Sequence, residues 1–148
     1  MKRTLLYLLP VLLLFASGCA PKNIGPAPNN APEGTFTGEF KFTHEHAQTG
    51  AVDSLTAKIQ LQIQQSTGYK VTGDTSTVHA GSYGSYVINS SFTGIDFLDK
   101  TYPPTGTPAK IHLNGVYSYT YNGTNLQIIY LAAFDTLSYI YTLKKISH

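Results

Sequence analysis

Between Leu55 and Gln64 the chain alternates without interruption. Leu55, Ala57, Ile59, Leu61 and Ile63 are apolar, and Thr56, Lys58, Gln60, Gln62 and Gln64 are polar. Successive side chains on a strand point to opposite faces, so this pattern specifies a β-strand with one face buried. No stretch of residues 34–148 shows convincing helical periodicity, while Tyr, Phe and β-branched residues recur between short Gly, Asn, Asp and Ser punctuations. The same reading predicts seven more strands. The first covers about Thr35 to His44, with Phe36, Phe40 and Phe42 on one face. The others cover about Tyr69 to Thr72, Val78 to Ile88, Ser91 to Leu98, Lys110 to Tyr121, Asn125 to Phe134 and Leu137 to Ile146. Gly81 and Gly84 suggest a bulge or sharp bend in the fourth strand. Asn122-Gly123 is the strongest hairpin signal, and Asp135-Thr136 reads as a second tight turn.

Links this short make consecutive strands antiparallel neighbours, because parallel strands need crossovers of about a dozen residues or more. Strand edges must be hidden, and closure removes them. The expected fold is therefore all-β: an eight-stranded antiparallel up-and-down meander barrel. A two-sheet β-sandwich is the runner-up; it needs longer Greek-key connections, and only Asp99 to Ala109 resembles one. A lipid-embedded barrel would need a continuous apolar exterior. The Thr, Lys and Gln face of the Leu55 strand does not supply it.

The first 33 residues are of another kind. Met1-Lys2-Arg3 is basic, Leu5 to Phe15 is almost unbroken apolar sequence, and Ala16-Ser17-Gly18 are small residues before Cys19, the chain's single cysteine. The apolar run is shorter than the roughly 20 residues of a spanning helix and contains Pro10. This order resembles a bacterial lipoprotein signal peptide with its lipobox, Ala16 standing where that motif more often has Leu. The resemblance implies removal of residues 1–18 and lipid attachment at Cys19. Two or more acyl chains, at about 0.8 kcal/mol per buried methylene, would anchor the protein stably. Residues 20–33 hold four prolines, three asparagines and one large apolar residue, Ile24. They read, with Cys19, as a flexible tether of residues 19–33 ahead of a domain covering 34–148. Loss of Lys2 and Arg3 lowers Lys plus Arg from 10 to 8, equal to the 8 Asp plus Glu. A neutral chain with scattered charges offers no nucleic-acid surface.

Gly34-Thr35-Phe36, an eight-strand meander and a basic residue in the last strand (Lys144 or Lys145) together resemble the lipocalin/calycin group. Phe36 stands where that group commonly has Trp, and the basic residue is Lys where it commonly has Arg. The resemblance implies a pocket for something small and apolar.

Two constellations stand out as candidates. His44 and His46 share the face of Phe40 and Phe42 and make half of a zinc or copper site. His79, His112 and His148 are the only other histidines, and nothing in the sequence brings them near. Without a third ligand, the expected role is a polar strand end leading into the loop from Ala47 to Ser54, with no metal. Tyr117, Tyr119 and Tyr121 share one face, and Tyr139 and Tyr141 share another. Core packing is the preferred reading of these rings, and a ligand-binding surface is the functional one. Exposure of Tyr117 or Tyr119 would distinguish them. Gly81-Ser82-Tyr83-Gly84-Ser85 lacks nucleophile-elbow spacing, and Asp99, at a turn before Lys100, should be solvated. Tyr102-Pro103-Pro104-Thr105-Gly106 could lie over one barrel end as a lid.

No nucleophile, base and orienter are spaced for catalysis. The expectation is a non-enzymatic envelope lipoprotein without a cofactor, at the outer membrane facing the periplasm, since Ala20 follows Cys19. It would bind a small apolar or amphipathic ligand inside the barrel. The alternative is an accessory protein with a filled barrel, contacting another envelope protein through a Tyr-rich face or loops.

Overall fold

The computed structural model describes residues 31–132 and 136–146. Cys19, the export segment, the tether up to residue 30, Phe134, Asp135 and His148 lie outside the described residues. Eight strands follow one another: β1 (Gly34–Glu45), β2 (Val52–Gln64), β3 (Gly68–Gly73), β4 (Tyr83–Ile88), β5 (Gly94–Asp99), β6 (Gly115–Tyr121), β7 (Asn125–Leu131) and β8 (Leu137–Lys145). Each pairs antiparallel with its neighbour, and β8 returns to β1, closing an up-and-down barrel. The closing seam runs from Phe36 opposite Lys145 to His44 opposite Leu137, with Phe40 directly across from Tyr141. One closed sheet replaces the two layers of a sandwich.

Alternation dictates which residues fill the barrel. The apolar series of β2 points inward from Ala57 to Ile63, and Phe36 and Phe40 meet it from β1. Tyr69, Val71, Ile95, Phe97, Leu126, Ile128 and Leu143 complete the inner wall. Each such side chain contributes about 1.5–3 kcal/mol by leaving water.

The two largest departures from the expected strand boundaries have one reason. The fourth strand starts at Tyr83 instead of near Val78, and the sixth at Gly115 instead of near Lys110. Residues 74–82 and 100–114 leave the barrel wall and pair with each other. His79 and Ile111 form a parallel bridge, the Ile111 amide donates to the Val78 carbonyl (3.0 Å), and the Ala80 amide donates to the Ile111 carbonyl (2.8 Å). Lys110 Nζ ties the same two segments by donating to the Thr75 carbonyl at 2.7 Å. Val78–Ala80 and Lys110–Leu113 are thus extended, as their composition suggests, but they extend across the barrel end.

The chain enters β1 at one end, where the buried Pro32 lines a depression with Gln65 after β2 and Ile88 at the end of β4. The loops after β1, β3, β5 and β7 gather at the far end. β1 and β2 have 12 and 13 residues, so their tip and its His46–Ala51 turn project past the shorter strands there.

Candidate functional site

The two crossing segments plug the far end of the barrel. Leu113, His79 and Ser82 are completely buried. A buried loop must find partners for its own polar groups, and here the plug and the barrel wall supply them together. The Leu113 amide donates to Ser82 Oγ (3.2 Å), and the Tyr69 hydroxyl donates to the Leu113 carbonyl (2.5 Å). His79 Nδ1 lies 2.5 Å from the Ala80 carbonyl, which can only accept, so the proton sits on Nδ1. His79 Nε2 is then the acceptor for the Tyr141 hydroxyl at 2.9 Å. Phe40 packs edge-on against His79, with centroids 4.8 Å apart, and lies at 4.8 Å from Tyr141.

Burial pushes the His79 imidazole down to about 4, against an ordinary 6.5. The ring is therefore neutral when folded at neutral pH. Below about pH 6.5 the unfolded chain takes up a proton that the folded chain refuses, so stability falls as pH drops. The loss is complete near pH 4, where the folded ring also protonates, and amounts to about 3 kcal/mol. Urea denaturation at pH 7.0 and 4.5 measures this. His79→Gln should flatten the dependence; an unchanged pH slope would show that His79 is not held in the plug.

Asp99 is a second correction. Instead of being solvated at its turn, its carboxylate is buried, 2.6 Å from His112 Nδ1, with Oδ1 accepting from the Thr101 amide and hydroxyl at 2.7 Å each. Burial alone would raise its pKa; the Thr101 bonds and the His112 ring outweigh that and hold it below the ordinary value. Tyr102 packs edge-on over His112 at 5.3 Å. The cluster fastens the start of the 100–114 segment to its end.

The five candidate tyrosines all point inward, but at different depths. Tyr117, Tyr119 and Tyr141 are 3 %, 5 % and 0 % exposed. Burial pushes the Tyr117 and Tyr141 hydroxyls well above the ordinary phenol value, as it does for Tyr69. They are protonated packing groups, and the Tyr119 hydroxyl has no hydrogen-bond partner among the described residues. Tyr121 sits at the end where the chain enters β1, edge-on to Phe36 at 5.7 Å, its hydroxyl donating to the Gly123 carbonyl. Tyr139 belongs to the far rim. None of the five forms an outer face that a partner could meet. The exposed tyrosines among the described residues are instead Tyr83, Tyr102 and Tyr130.

Above the plug the inner wall continues as a half-open rim. Strand register places Leu55, Phe42, Tyr139 and Tyr130 in one row across β2, β1, β8 and β7. Tyr130 and Tyr139 stack at 5.3 Å and 17°, and Phe42 lies 5.8 Å from Tyr139. The next row outward holds Asp53, His44 and Leu137. His46 Nε2 lies 2.8 Å from Asp53 Oδ2, and the His44 and His46 rings are 4.6 Å apart. Sequence reading had placed the two histidines on one face but missed Asp53. Its position depends on the length of the β1–β2 turn, which sets the register.

Surface depressions of 310 to 590 Å³ occur elsewhere, all open to solvent. The largest of these four lies against the outer sides of Thr37, Gln127, Thr142 and Lys144. On the outer wall Val87, Leu98, Val116 and Leu131 are each about two-thirds exposed, on the consecutive strands β4, β5, β6 and β7. Val87 and Val116 both flank Asp96 in register, and Val116 and Leu131 line one shallow depression. No family model, curated protein or solved structure matches the chain.

Proposed function

We propose that the chain is a non-enzymatic, lipid-anchored envelope protein, held through Cys19 at the outer membrane facing the periplasm, whose filled barrel contacts another envelope protein. One observation carries this reading: the interior where a ligand would sit is occupied by Leu113, His79, Tyr69 and Tyr141. Small barrels whose side chains fill the lumen have no room for a ligand there. The patch of Val87, Leu98, Val116 and Leu131, with Asp96 set between Val87 and Val116, supplies the contact, because exposed aliphatic residues gathered on one face mark interaction surfaces. The contact thus uses the outer wall of β4–β7 in place of a tyrosine face. The far loops point away from the anchored end and remain accessible beside it.

A photo-crosslinking residue at Val116 should give a discrete protein adduct in intact envelopes. The same residue at Lys58, on the outer face of β2, should not. Equal labelling at both positions, or none at Val116, would overturn the proposal.

A small apolar or amphipathic ligand remains the second reading, favoured by the half-open row of Leu55, Phe42, Tyr139 and Tyr130 above the plug. Rings of this kind give apolar area together with hydroxyl groups for orientation. Native mass spectrometry of gently extracted protein distinguishes the readings. A co-purifying small molecule, lost in Tyr130→Ala, would favour the rim site over the protein contact.

A further inference from the structure

We propose that His44, His46 and Asp53 form a binding site for a divalent transition metal, zinc or copper, at the tip of the β1–β2 hairpin. The inference is independent of what the outer wall contacts. The strand period places His44 on the inner face, register sets Asp53 directly opposite it, and the His46 ring, just past the end of β1, lies 4.6 Å from that of His44. The tip is held by its own backbone bonds: the His46 amide donates to the Ala51 carbonyl, and the Gly50 amide donates to the His46 carbonyl, each at 2.8 Å. Gly50 has a φ of 68°, which lets the turn close there. His46 is thus fixed in place although exposed.

One donor atom from each of the three residues lies within 4.8 Å of the other two. Zinc ligands at about 2.0–2.1 Å in tetrahedral geometry stand about 3.3 Å from one another. His46 Nε2 and Asp53 Oδ2, now 2.8 Å apart, would separate slightly as both turned toward a shared metal. His44, half-buried over the Phe42 row, needs only a side-chain adjustment to complete the set. Two imidazoles and one carboxylate suit zinc, copper or nickel, whereas calcium and magnesium take oxygen donors. Three protein ligands leave at least one position for water or an outside donor. With His46 and Asp53 exposed, the metal would exchange with solution, in contrast to a structural zinc buried in a core.

The test is isothermal titration of Zn²⁺ into the intact mature protein in detergent, purified without a polyhistidine tag. One equivalent should bind. His44→Ala and Asp53→Asn should each weaken binding at least tenfold, while Glu39→Gln, on the outer face of β1, should leave it unchanged. Thermal melts in the absence of metal confirm that the variants fold, since all three ligands lie outside the packed core. A Cu²⁺ spin-resonance spectrum with coupling to two imidazole nitrogens, reduced to one in His44→Ala, is the second readout. No binding by the wild-type protein would show an exposed His46–Asp53 ion pair only. Full affinity retained in either His44→Ala or Asp53→Asn would likewise overturn the three-ligand site.

Discussion

Phe40→Ala is expected to destabilise the domain by about 3–5 kcal/mol, the range for emptying a fully buried aromatic site. Phe40 is completely buried where β1 meets β8, and it touches both Tyr141 across the seam and His79 of the plug. Its removal opens a void between the two features that close the barrel. Neighbouring strands are hydrogen-bonded around the full circumference, so the wall cannot collapse easily onto the void. Domains of this size are stable by only about 5–15 kcal/mol, so the variant should melt at least about 12 °C lower. Phe42→Ala, one row nearer the rim and only half-buried, should cost clearly less. Equal effects at the two positions, or a loss below about 1 kcal/mol for Phe40→Ala, would mean that the seam is not packed as described.

Gly84→Val is expected to be more damaging still, by the opposite mechanism. A Cβ built on Gly84 would stand 1.9 Å from the Leu98 carbonyl oxygen and 3.2 Å from the Asp99 Cα. The obstacles are backbone atoms of β5, so no side-chain rotation relieves them. The opposite flank is equally tight: a Cβ on Gly68 of β3 would stand 1.9 Å from the Gly84 carbonyl oxygen. β3 and β4 share only the pairs Tyr69–Gly84 and Lys70–Tyr83, the shortest ladder in the barrel. Pushing β5 away from Gly84 would break its pairing with Asp99 and disturb the carboxylate that holds His112. A loss above about 4 kcal/mol follows, in the range where single substitutions abolish folding of marginal domains. Gly81→Ala is the matched control. Its nearest neighbours would be 3.7 Å away, and it should be close to neutral. A cooperative melt of Gly84→Val near the wild-type temperature would contradict the close strand approach.

Much of the wall is legible in the sequence because one-faced burial imposes period two. The β2 alternation, the Phe36/Phe40 face and the Asn122-Gly123 turn all sit where the pattern places them. At the turn, Asn122 Oδ1 accepts from the Thr124 and Asn125 amides. Closure was also inferable, since eight short-linked strands have few other ways to hide their edges. The plug was not. Val78–Ala80 and Lys110–Leu113 have strand-like composition, but composition does not say whether an extended segment pairs with the wall or with another loop. The same gap hid the burial of Asp99, whose partner His112 lies 13 positions away on the second crossing segment. The tyrosine series was read correctly as one-faced. Whether that face lined a cavity or filled it depended on the plug, and so could not be decided by periodicity. At the hairpin tip the two histidines were visible and their carboxylate was not, because register, unlike alternation, is fixed by turn length.

A solid, plugged interior underlies both the proposed function and the stability effects, and nuclear Overhauser spectroscopy of the Phe40 ring tests it most directly. Contacts from the Phe40 ring protons to both the His79 imidazole and the Tyr141 ring are the expected result, with the His79 ring still neutral at pH 5.5. Contacts to Tyr141 alone, with a His79 ring that titrates near 6.5, would contradict it by showing an unplugged barrel with room inside.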